Sequence, residues 1–88
     1  MMTKDKEFNG RVDGFETDFK TRDYKIVVNS GVGNFSKKLV YSACVQSTSG
    51  RVVNKDHNFY TTFQEAKLNM NTPMILAQRR IDTFSLEG

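Results

Sequence analysis

Hydrophobic and polar positions alternate most cleanly between Lys38 and Thr48. Leu39, Tyr41, Ala43 and Val45 fall on one face, and Val40, Ser42, Cys44 and Gln46 fall on the other. A period of two with one apolar and one mixed face predicts an antiparallel strand with a single buried side. Tyr24-Lys25-Ile26-Val27-Val28 predicts a second strand, since β-branched and aromatic residues fit a pleated surface. Asn29 to Asn34 is expected to break it with residues that tolerate positive φ. Thr48-Ser49-Gly50 predicts a hairpin turn, with Arg51-Val52-Val53 starting the return strand. Asn54 to Asn58 is a polar loop or the frayed end of that strand. Earlier in the chain, Phe8, Val12 and Phe15 are spaced by Gly10 and Gly14 as a weak strand or hairpin, and Asp18 to Asp23 is turn-like.

From Thr62 the period changes. Thr62-Phe63-Gln64-Glu65 reads as a capping box, in which the Thr oxygen accepts from the Glu65 amide and Glu65 reaches back to the cap amide. Phe63, Ala66 and Met70 share one face of the helix that follows. It should stop near Asn71, because Pro73 lacks an amide proton and disfavours helix at Thr72. Beyond it, Met74, Ala77, Ile81 and Phe84 make one stripe of a second helix, which propensity favours. The same stretch could form a last strand over Arg80 to Leu86. The expectation is an α+β fold in one domain, residues 1–88. It has a small antiparallel sheet of three to four strands, one capped helix packed on one face, and a C-terminal helix or strand. Residues 1–6, half of them charged, are expected to be loose.

Composition narrows the class. An apolar fraction of 38% in 88 residues allows only a small core. One cysteine excludes an intramolecular disulfide. The first residues hold no apolar run fit for a secretory leader, and no stretch reaches the ~20 apolar residues of a membrane span. The chain is therefore expected to be soluble and cytoplasmic, with no membrane partner, and the sequon Asn34-Phe35-Ser36 is not used.

Charge changes the picture more. Tyr24 to Lys55 carries Lys25, Lys37, Lys38, Arg51 and Lys55 and no Asp or Glu, whereas the acids and bases before Tyr24 balance. A basic sheet surface favours anionic partners. Lys37, Lys38, Tyr41, Arg51, Lys55, Arg79 and Arg80 are the candidate binding residues, for protein or for nucleic acid.

Chemistry is sparse. Cys44 and His57 could approach across the hairpin, but nothing nearby would activate the thiol, so no enzyme is expected. One Cys and one His do not make a structural zinc site. Gly31-Val32-Gly33 lacks the third glycine and the helix of a dinucleotide loop. Asp13, Glu16 and Asp18 fit no calcium loop. Neither metal nor cofactor is implied. Basic groups interleaved with Tyr41, Phe35, Phe59 and Tyr60 would suit single-stranded nucleic acid. Small size, a free sheet edge and Arg beside aromatics suit a protein partner more fully, by strand addition or docking. The expected function is a protein-binding module, regulatory or inhibitory toward a larger host factor, of the kind phages and mobile elements encode. A homodimer is a further expectation of the small core.

Overall fold

The computed structural model describes residues 1–87, with side chains to Phe84. Four strands, β1 (Phe8–Lys20), β2 (Tyr24–Gly33), β3 (Leu39–Ser47) and β4 (Val52–Lys55), precede two helical segments, α1 (Phe63–Asn69) and α2 (Asn71–Glu87). The strands form one antiparallel sheet in the order β1-β2-β3-β4. Sequential strands joined by short turns give this meander with no crossover, so β1 and β4 are both free edges. The fold is α+β, and the ambiguous last segment is helix rather than strand.

On one face of the sheet, Ile26 and Val28 of β2 and Ala43 and Val45 of β3 share a buried cluster with Tyr60, Ala66, Met70 and Met74. The expected single buried side of β3 needs correction: Val40, Ser42 and Cys44, on the opposite face, are buried as well. No helix among the described residues covers that face. Two irregular segments do, one running into Phe8 and the other from Asp56 to Phe59. Their rings meet edge to face at 4.8 Å, and Ser42 Oγ donates to the Asp56 carbonyl at 3.1 Å.

The expected break at Asn29 is absent, and β2 runs on to Gly33. A strand flanked on both sides has its ladder bonds satisfied, so local turn preference yields. Gly33 serves a different purpose: a Cβ there would lie 2.2 Å from Asp5 Oδ1. β1 is likewise a continuous strand of 13 residues, irregular at two places. Gly10, with φ of 95°, absorbs the first irregularity.

The charged N-terminal residues are tied down rather than loose. The Thr3 amide donates to the Phe59 carbonyl at 2.7 Å, and the Thr61 amide to the Met1 carbonyl at 2.9 Å. Met2 pairs with Tyr60, which pairs with Tyr41 of β3 on its other side. Asp5 is 2% exposed. Its Oδ1 accepts from the Phe35 and Ser36 amides at 2.7 and 2.8 Å, clasping the β2–β3 loop.

Half of the capping box forms. The Glu65 amide donates to Thr62 Oγ1 at 3.2 Å, but the Glu65 carboxylate turns to the Met1 ammonium and the Thr62 hydroxyl. α1 ends at Asn69 and Met70 closes it. Pro73 falls in the first turn of α2, where its missing amide proton costs nothing. The two segments make a bent helix, linked by the Met74 amide bonding the Met70 carbonyl at 3.1 Å. No described helix is long and apolar enough to cross a membrane.

Candidate functional site

The stripe predicted for α2 is buried only at its start. Met74 is 2% exposed, whereas Ile81 is 36% and Phe84 78% exposed. The side chain that turns inward one helical turn after Met74 is Gln78, 9% exposed. Its Oε1 accepts from the Asp23 amide at 2.8 Å, and its Nε2 donates to Asp23 Oδ2 at 2.7 Å and Asp82 Oδ1 at 3.2 Å. Arg22 closes the network, donating to Asp23 Oδ2 at 2.9 Å and Asp82 Oδ1 at 2.6 Å. Asp23 is held below the ordinary carboxylate range, first by Gln78 and then by Arg22. The Arg22 guanidinium is raised by Asp23 and Asp82.

A polar clamp thus fastens α2 to the β1–β2 turn. With Gln78 and Asp82 turned to the clamp, Leu76, Arg80 and Phe84 form the outward stripe at helical spacing. Leu76 is 43% exposed, and Arg79 and Thr83 flank the stripe. Beneath it lies a groove of about 340 Å³ between α2 and the β4 edge. Val53 and Asn54 of β4 form one wall, and Pro73, Leu76, Ala77, Arg80 and Ile81 form the other, with Tyr24 beside them. Val53 reaches the groove from the irregularity between Val45 and Gln46, where two residues of β4 oppose one of β3.

The basic candidates are divided. Lys37, Lys38, Arg51, Lys55, Arg79 and Arg80 make no ion pair among the described residues, while Arg11, Arg22, Lys25 and Lys67 each face a carboxylate. Lys37 and Lys38 sit in the β2–β3 loop at one end of the sheet, Lys37 with φ of 60°. Arg51 follows the β3–β4 turn at the other end, and Arg79 and Arg80 are next to the clamp at that end. Nine residues of β3 separate the two groups, about 30 Å at strand rise. Lys55 ends β4 and opens toward the opposite face of the sheet. Tyr41 is partly buried against the core, edge to face with Phe63 at 6.2 Å, and its backbone bonds Tyr60. It packs on the core and stays partly exposed.

A second cleft of about 620 Å³ lies on the helix-free face, with Asn29, Ser42, Phe8 and Phe59 inside and Lys6, Lys55 and His57 at its rim. Glu7 and Asp56 share that rim and offset much of its charge. Cys44 is buried, its sulfur contacted by Gln46 Nε2 at 3.7 Å, and no hydrogen bond joins it to the exposed His57. Among the described residues, no three His, Cys, Asp or Glu gather where a cation could bind.

Of the residues that the sequence pattern set on apolar faces, Leu39, Ile81 and Phe84 are exposed, and that pattern gave no sign of Leu76 and Val53. The one available signal was Gln78, a polar residue at the position where a core-facing helix would carry an apolar one. Comparison with known protein families, curated proteins and solved structures finds no match.

Proposed function

We propose that this chain is a protein-binding module, regulatory or inhibitory toward a larger partner, that docks through α2 and the β4 side of the sheet. One observation carries the reading: α2 buries Gln78 and leaves Leu76, Ile81 and Phe84 exposed beside Arg79 and Arg80, which make no ion pair among the described residues. Apolar surface left in water is unfavourable, and its concentration on one helix beside Arg matches the composition of protein-interface hot spots. A module without gathered chemistry acts on its target by occupying or distorting it, which is why the role proposed is regulatory.

The division of the basic residues between two ends favours a protein partner over nucleic acid. A nucleic-acid track needs cations at the spacing of successive phosphates, and the two groups here are separated by the length of β3. The test is recovery of the tagged chain from its native cell with and without nuclease, beside a Leu76→Glu/Phe84→Ser variant. The expected partner survives nuclease and is lost with the variant. A partner removed by nuclease, or retained by a folded variant, refutes the proposal.

A further inference from the structure

The groove is bounded by a free strand edge on one side and a helix on the other, and that geometry constrains what can fill it. β4 is the last strand of the sheet, and all four of its residues are exposed. An extended segment laid beside it would pair with its backbone and at the same time pack on α2. Further along this side of the sheet, beyond β4, the chain already does something similar to itself. Tyr60 continues the pairing with β3, and Met1 to Thr3 take its outer side through the Met2–Tyr60 bridge and two backbone hydrogen bonds. Val52–Lys55 has no such outer partner among the described residues.

Side-chain spacing and charge specify the segment. Residues two apart on a strand lie about 6.6 Å apart on one face, close to the about 6 Å rise from Leu76 to Arg80 along α2. One residue facing α2 would therefore meet Leu76 and Val53, and the next on that face would meet Arg80. Among the described residues, Arg80 is the single charged one lining the groove. The acids of the clamp, Asp23 and Asp82, are engaged by Arg22 and Gln78. Arg51, just before β4, and Arg79, beside Arg80 on α2, add positive charge on this side. A second copy of this chain is a poor occupant, since pairing β4 with its own twin would set these cations against one another.

We infer, resting on the protein-binding reading above, that the partner presents an extended segment that adds to β4 as a fifth strand. On the side facing α2 it carries an apolar residue and, two positions away, a carboxylate for Arg80.

The probe is a heptapeptide, TVTETVT, titrated into the ¹⁵N-labelled chain, with TVTKTVT and a version in which the two central threonines are proline. TVTETVT should shift the amides of Val53, Asn54 and Lys55 and of Leu76 to Ile81. The lysine peptide should bind about tenfold or more weakly, the loss of one charge-assisted hydrogen bond, and the proline peptide should not bind. Arg80→Glu, checked for folding by its amide spectrum, should reverse the preference between glutamate and lysine. Equal binding of both charged peptides, retained binding of the proline peptide, shifts confined to other surfaces, or no binding of TVTETVT each overturns the inference. Dimerisation that alters the β4 amides as concentration rises overturns it too, by naming a second copy as the occupant. If a natural partner is still lost with Leu76→Glu/Phe84→Ser while the peptide fails, strand addition falls and the protein-binding reading stands.

Discussion

Asp5 offers the most direct test of how the N-terminal residues hold this fold together. Burial alone would push its carboxyl pKa up, yet the Ser36 amide, the Thr3 hydroxyl, the Phe35 amide and the Ser36 hydroxyl together bring it down to about 2, from 3.8. A fall of nearly two pH units corresponds to about 2 kcal/mol of stability at 1.36 kcal/mol per unit. The folded value lies below the unfolded one, so the contribution is complete above pH 4. On acidification it should decline to roughly half at pH 3 and be mostly gone at pH 2. Asp5→Asn keeps one oxygen for the two loop amides but loses the charge. It also places an NH₂ group where Oδ2 is now buried without a partner. Its cost at pH 7 should be about 2 kcal/mol, and that of Asp5→Ala, which strands both amides, about 2–4 kcal/mol. For a domain of this size the Asn variant should melt about 10 °C lower. The assay is urea unfolding of both proteins at pH 7, 5 and 3. Because Glu16, Asp18 and Asp23 are also held below their ordinary values, the difference between the two proteins isolates Asp5. An equal midpoint at pH 7, or a gap that stays constant down to pH 3, would refute the reasoning.

Gly33→Ala should be costly for the same reason, since its Cβ would fall 2.2 Å from Asp5 Oδ1. Combined with Asp5→Ala its cost should be at least about 0.5 kcal/mol less than the sum, as read by a double-mutant cycle. Lys67 is 7% exposed, lies 4.4 Å from the centre of the Phe19 ring and pairs with Asp18, which is itself well exposed. Lys67→Met keeps the packing stem and should unfold within about 1 kcal/mol of the native chain, whereas Lys67→Ala should lose more than Lys67→Met in the same urea series. Thr62→Ala removes the cap of α1 and should cost about 1 kcal/mol by thermal unfolding, with Thr62→Ser largely restoring it.

The antiparallel sheet built on β2 and β3, the hairpin after Ser47 and the start of α1 at Thr62 were legible in local pattern, whereas the last segment read as helix or strand and only the structure made it helix. The legible features rest on neighbours in sequence: alternation over Leu39 to Gln46, positive-φ residues at the turn, and Thr62 with Glu65 at the cap. Composition likewise indicated a small core and a surplus of basic residues outside the first strand. Tertiary structure decided what those patterns could not carry. Asn29 to Gly33 has the chemistry of a turn and becomes strand because β1 and β3 satisfy its backbone on both sides. Asp5 becomes a buried anchor because a loop thirty residues later presents two amides to it. The apolar positions of α2 divide between core and solvent because Gln78 finds Asp23, and Asp82 finds Arg22, at the β1–β2 turn, which sets the rotation of the helix and leaves Leu76 and Phe84 outside. Contacts of this kind join residues 30 to 60 positions apart. They depend on where chain segments meet in space, and the local periodicity of either segment does not encode that.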